Sequence, residues 1–183
     1  MDKTAETRPE FTTRYPNLAS AGLGASIVSV TDDFFAEAPR MLADNEAVFH
    51  PDRYDDNGKW MDGWESRRKR ELGHDHAVVA LAAPTVIRGF DVDTSHFTGN
   101  YPPACSIEGC NLPAGATPDE ATEWQAIVPI SPLGPSAHHY IAHEGDGVWT
   151  HLRLHIYPDG GVARLRVYGT ARPSAFGAED ELD

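Results

Sequence analysis

Val148-Trp149-Thr150-His151-Leu152-Arg153-Leu154-His155-Ile156-Tyr157 runs into Pro158-Asp159-Gly160-Gly161 and then Val162-Ala163-Arg164-Leu165-Arg166-Val167-Tyr168. In the first run Val148, Thr150, Leu152, Leu154 and Ile156 fall on one side. Trp149, His151, Arg153, His155 and Tyr157 fall on the other, which is the period of two of a β-strand. The second run alternates in the same way, with Ala163, Leu165 and Val167 opposite Arg164, Arg166 and Tyr168. Between them lies a turn whose glycines supply positive φ. The two runs read as an antiparallel hairpin.

Upstream the pattern repeats in shorter pieces. Gly22 to Val30 holds a short strand ending at Ser29-Val30. Thr31 or Asp32 can cap a helical turn through Arg40, and Pro39 argues against a long helix beyond it. Asn57-Gly58 marks a tight turn. Ala77 to Leu81 is a continuous apolar run suited to a buried strand, with Pro84 as its stop and a second strand from Val86 to Val92. Cys105 to Leu112 and Trp124 to Ile130 read as further strands, the latter bounded by Pro129 and Pro132. About eight short strands with almost no helix indicate an all-β sandwich or barrel. One domain over residues 11–170 accounts for them. Residues 1–10 read as a flexible leading segment, and 171–183 as an acidic tail or the start of a linker between modules.

Composition narrows the function classes. The chain has 183 residues, 40% hydrophobic and 23% charged, with 16 Gly and 14 Pro, an ordinary globular make-up rich in turns. A net charge of -13 argues against nucleic acid and against an anionic membrane surface. No stretch approaches the ~20 apolar residues of a membrane span, and the polar start lacks the apolar run of a signal peptide. Cys105 and Cys110 point to opposite faces of one strand, so a bridge between them is not expected. These features suit a cytoplasmic protein with reduced thiols.

Four clusters could carry chemistry. Trp60 to Arg70, W-M-D-G-W-E-S-R-R-K-R, packs aromatic, acidic and basic groups into one stretch. It reads either as a hairpin at Asp62-Gly63 followed by a solvated charged strand, or as a ligand site. In a strand Glu65, Arg67 and Lys69 share one face, and Ser66, Arg68 and Arg70 the other, so only some of the arginines can meet a ligand. His74-Asp75-His76 places two imidazoles on one face, half of a metal site that lacks a third ligand of known spacing. Asp91, Asp93 and His96 could form a carboxylate-oriented base. His138-His139 with His143 reads as a solvated polar loop. Nucleotide-binding glycine loops, a zinc-protease helix motif and a serine nucleophile elbow are all absent.

Five segments in order then resemble one family. They are Thr31-Asp32-Asp33-Phe34-Phe35-Ala36, Met61 to Arg70, His74-Asp75, Asp93-Thr94-Ser95-His96-Phe97-Thr98-Gly99-Asn100-Tyr101-Pro102, and Leu152 to Gly169. Together they look like the allantoicase (allantoate amidinohydrolase) family, of which the chain resembles the first of two tandem modules. His76 stands where family members usually carry tryptophan after the His-Asp pair. The resemblance implies a jelly-roll β-sandwich of the galactose-binding-like kind. It also implies the hydrolysis of allantoate to ureidoglycolate and urea in allantoin and purine degradation. On that footing Glu65 and His96 are candidates for acid and base, with Asp93 orienting His96. Arg67 or Arg68 would clamp the substrate carboxylate. Asp32 and Asn100 would bond the ureido groups, and Trp64 and His74 would complete the binding residues. No cofactor is expected, although a divalent metal held by His and Asp is left open. The expected partners are the small-molecule substrate and, as a homo-oligomer or a second module, further copies of the fold. The rival reading is a non-catalytic ligand-binding or oligomerisation module.

Overall fold

The structure, a computed structural model, describes residues 7–172; most of the leading segment expected over 1–10 and of the tail expected over 171–183 lies outside the described residues. The described chain opens with a one-turn helix, α1 (Phe11–Arg14), and continues almost entirely as strands. These are β1 (Ser26–Val30), β2 (Tyr54–Asp55), β3 (Gly58–Lys59), β4 (Trp64–Glu65), β5 (Asp75–Asp93), β6 (Ala104–Cys110), β7 (Gln125–Pro132), β8 (His138–Ala142), β9 (Val148–Tyr157), β10 (Gly161–Val162) and β11 (Arg164–Ala171). The fold is a jelly-roll β-sandwich of the galactose-binding-like kind, as expected. No described helix is long and apolar enough to cross a membrane.

One strand organises the rest. β5 is 19 residues long and continues through Pro84, where the sequence pattern predicts a stop. Its first half pairs with β1 on one edge and β9 on the other. Its second half pairs with β11 and β8. Thr85 is partnered by both Trp149 of β9 and Ala171 of β11, so β11 follows β1 along one edge, and β8 follows β9 along the other. Proline is tolerated here because the β9 register breaks between Ala80 and Thr85, where no ladder N–H is needed. The edge strand β7 carries Pro129 and Pro132 for a related reason: it borders β6 on one side only.

β5 must also curve. The N–H of Asp75 donates to the Pro158 carbonyl, and the N–H of Ala163 donates to the carbonyl of Asp93. About five residue steps join Pro158 to Ala163, a reach of at most roughly 18 Å. A straight strand of 19 residues would span roughly 60 Å. Both ends of β5 therefore come to one end of the sandwich, and the loops gathered there carry most of the residues singled out above.

Alternation along β9 matches its expected range and inward face, since Leu152, Leu154 and Ile156 are all fully buried. They join Val79, Ile87, Phe90, Val92, Ile107, Leu165 and Val167 in one core. Each buried aliphatic or phenyl side chain contributes about 1.5–3 kcal/mol. The expected hairpin does not form. β9 and β11 flank β5 on opposite edges, while Gly161–Val162 pairs with Trp64–Glu65. Alternation decides which side chains point inward, but not which strand lies alongside.

Two smaller expectations are also corrected. The turn expected from Thr31 to Arg40 begins only at Ala38, with Pro39 inside it, and forms a short 3-10 helix to Leu42. Neither Thr31 nor Asp32 caps it: the Thr31 hydroxyl donates to Asp75, and Asp33 accepts the Ala38 N–H. Likewise Asp62-Gly63 makes no hairpin. Gly63 has φ 151°, and a Cβ there would sit 2.5 Å from Ala163 Cα and the Val162 carbonyl. Only glycine lets the start of β4 lie that close to the β10–β11 junction.

Candidate functional site

The loops at the shared end of β5 form three adjoining groups. The first is a basic cleft of about 590 Å³ lined by Asp32, Arg67, Arg68, Lys69, Arg70 and Asp75, with Phe35 and Glu71. Strand geometry ends at Glu65, so the arginines are not sorted onto alternate faces as expected and instead line one cleft from a loop. Arg67 Nε donates to Asp32 Oδ2 at 2.8 Å, and the backbone N–H groups of Arg67 and Phe34 donate to Asp32 Oδ1. Burial acts to raise the Asp32 carboxyl, but these hydrogen bonds and the guanidinium outweigh it and hold it below the ordinary value. Lys69 Nζ lies 3.2 Å from the buried Asp75. Arg68 and Arg70 are exposed and make no ion pair among the described residues. Two of the four cations thus anchor the loop, and the other two face the cleft free to take an anion.

The second group is Glu65 with Asn100. Glu65 is 9% exposed, and the Asn100 amide donates to its Oε2 at 2.8 Å. Burial raises the Glu65 carboxyl above its ordinary value, against the opposing pull of that hydrogen bond. Asn100 is itself exposed, so the pair reaches the surface. Glu65 does not line the basic cleft, although its backbone is held against Phe35 and Ala36 there. Trp64 lies wholly inside the core, and its indole N–H donates to the Asp32 carbonyl, so it supports the cleft from beneath and offers no surface to a ligand.

In the third group the expected Asp93–His96 partnership is replaced. Asp93 Oδ1 accepts the N–H and hydroxyl of Ser95. His96 sits at φ 72°, and this reversal turns its ring away, against the Ala47 carbonyl at 3.2 Å and the Phe49 ring. A carbonyl only accepts, so His96 Nε2 carries the proton and Nδ1 is left as its basic nitrogen. The imidazole that does meet the acids is His138, 2.7 Å from Asp91 and 3.8 Å from Asp93 through Nδ1. Donating a hydrogen bond to Asp91 raises His138, and burial raises Asp91, so the pair holds its shared proton to higher pH. The solvated loop expected at His138-His139 is in fact β8, paired with Asp91–Asp93 of β5. His139 is fixed between the Val92 carbonyl and the Gly134 N–H.

Across the open face of β5, β9 and β6, a histidine relay was not foreseen. His74 Nε2 lies 2.8 Å from His155 Nδ1, and His155 Nε2 is hydrogen bonded to Glu108, which also takes Arg153. Burial acts to raise Glu108, but the His155 and Arg153 hydrogen bonds win and keep it low. Burial lowers His155, so it is a neutral ring that donates to Glu108 and accepts from His74. His76 stacks edge-on to His155, and burial with the neighbouring cations lowers it to about 4. The His-x-His pair therefore meets a third histidine, His155, across the sheet. The signal was present in the outward face of β9, but its partners on β5 and β6 are distant in sequence.

This burial has a measurable consequence. His76 titrates lower in the folded than in the unfolded chain, so its contribution to stability is present above about pH 6.5 and is lost as pH falls toward about 4. The fall in thermal midpoint over that window should be shallower in His76→Gln than in the unaltered chain. Equal slopes would mean that His76 titrates as a hydrated imidazole.

A larger cleft, about 1050 Å³, lies at the start of β9. His151 and Arg172 are its only ionisable lining groups among the described residues, and it holds none of the candidate site residues.

Residues 16–172 match the family described as allantoicase repeat. The chain is 60% identical over 170 residues to a "Probable allantoicase" of Rhizobium meliloti (strain 1021), covering 93% of this chain and 49% of that protein. The crystal structure of allantoicase from Saccharomyces cerevisiae superposes with a TM-score of 0.75 at 30% identity, covering 90% of this chain and 51% of the other. A chitosan-binding module from Paenibacillus shares the fold alone, with a TM-score of 0.55 at 18% identity over 85% of this chain and 99% of that one. The chain spans about half the length of the curated relatives it matches.

Proposed function

The chain belongs to the allantoicase family, and from that premise we propose that it hydrolyses allantoate to ureidoglycolate and urea. The observation that carries the reading is the basic cleft, where Arg68 and Arg70 face solvent beside cations already neutralised by Asp32 and Asp75. Allantoate bears one carboxylate and two ureido groups on a single carbon. Arg68 takes the carboxylate through two parallel hydrogen bonds, and Arg67, held by Asp32, lies alongside. At the central carbon a C–N bond breaks and a C–O bond to water forms, and the departing nitrogen must gain a proton. Glu65, raised by burial, keeps its proton to higher pH than an ordinary carboxyl and is suited to deliver it. His96, whose Nε2 is bonded to the Ala47 carbonyl outside the lining of the basic cleft, takes the role of base in this reading through Nδ1. Asn100 bonds a ureido group while holding Glu65; His74, bonded to His155, is given no role in this step. No step requires a cofactor.

Arg68→Ala is expected to raise KM for allantoate at least about tenfold with little change in kcat, the mark of lost uniform binding. Unchanged KM would remove Arg68 from the carboxylate site. The half-length match supports a second reading, in which this module binds ligand or packs against a second module or copy that holds the chemistry. In that case the chain would bind allantoate without turning it over.

A further inference from the structure

Most buried polar atoms of the described chain are hydrogen bonded, but Asp93 Oδ2 and Asp91 Oδ1 have no partner there. Both residues stand on the same face of β5, at 0% and 2% exposure. A buried carboxylate without a counter-charge is strongly disfavoured. Their cross-strand neighbours Arg164 and Arg166 do not supply one by direct contact, because those guanidinium groups are bonded to Asp62, Asn45, Arg40 and Ala43. His138 approaches them, and Glu46 closes the other side, with its Oε2 4.0 Å from His138 Nε2. Three carboxylates thus converge on one imidazole.

The geometry points to a divalent-cation site formed by Glu46, Asp93 and His138. It is separate from the basic cleft and does not rest on the allantoate reading. One donor atom of each residue lies within 4.8 Å of the other two. A cation with bonds of roughly 2.0–2.5 Å bridges donors at that separation with little movement. Asp91, 2.7 Å from His138 Nδ1, fixes the ring as carboxylates do behind metal-binding imidazoles, leaving Nε2 toward Glu46. Two carboxylates and one imidazole, with positions left for water, select Zn²⁺ or Mn²⁺ over the all-oxygen preference of Ca²⁺ and Mg²⁺. The site would tie β5 and β8 to the loop that carries Glu46 and Ala47, and so to the carbonyl that holds His96.

The test is thermal unfolding of the chelator-treated full chain, titrated with Zn²⁺ and separately with Mn²⁺. Either metal should raise the midpoint of the unaltered protein to a plateau. Glu46→Gln should weaken the apparent affinity about tenfold or more. Glu46 is exposed and otherwise paired only with Arg8 at 3.7 Å among the described residues, so this variant tests the site without endangering the fold. Mn²⁺ should also broaden the ring resonances of His138 before those of His50. No midpoint change with either metal, or the same change and affinity in Glu46→Gln, would overturn the proposal; the latter would place the cation on other carboxylates of this acidic chain.

Discussion

Replacing Arg164 with methionine is expected to lower unfolding free energy by about 3–5 kcal/mol. Arg164 is fully buried at the start of β11. Its Nη2 donates to Asp62 Oδ2 at 2.8 Å, Nε to the Asn45 carbonyl, and Nη1 to the carbonyls of Arg40 and Ala163. One planar cation therefore fastens three segments: the 3-10 turn and its exit, the loop before β4, and β11. Removing it leaves the Asp62 carboxylate buried, with only the Val48 N–H, and takes one donor from each of the carbonyls of Arg40, Asn45 and Ala163. Lysine restores the charge but not the fork, so Arg164→Lys should recover only part of the loss. Adding Asp62→Asn to the methionine variant should also recover part, because the unpaired buried charge is then gone. Urea unfolding of the four proteins measures both. A loss below about 1 kcal/mol would mean that Arg164 is hydrated and that these loops are held by other means.

The second large effect falls on chemistry. Glu65→Gln is expected to reduce kcat for allantoate by about 10²–10⁴-fold, the range of a lost proton-transfer group, with a much smaller change in KM. Glutamine is nearly isosteric and its carbonyl can still accept from Asn100, so the thermal midpoint should stay close to that of the unaltered chain. The raised carboxyl also fixes a sign: as pH rises and Glu65 ionises, kcat should fall, and Glu65→Gln should lack that limb. A variant retaining most of its kcat would exclude Glu65 as the acid.

The parts legible in the sequence were those governed by local chemistry. β9 was readable from Val148 to Tyr157 because its alternation is uninterrupted, and the 3-10 turn carries Pro39 where a short piece tolerates it. The cleft was partly legible, because four cations in a row cannot all be neutralised by nearby acids. Partner choice was not legible. Nothing in Leu152 to Val167 distinguishes a hairpin from two strands flanking a third, since loop closure over long range decides that. Pro84 looked like a stop because a missing N–H matters only where a ladder needs it, and β5 has a register break there. His138 reads as part of a solvated loop because its partners, Asp91 and Glu46, are brought to it by the β5–β8 register and by a distant loop. Asp93 and His96, close in sequence, were drawn apart by a single left-handed residue.

Urea release measures directly whether this module alone carries an allantoate-hydrolysing site, as we propose. Purified, folded chain incubated with allantoate should release urea and ureidoglycolate in equal amounts, with turnover abolished or nearly so in Glu65→Gln. A folded chain that releases no urea, while a two-module relative turns allantoate over under the same conditions, would contradict it.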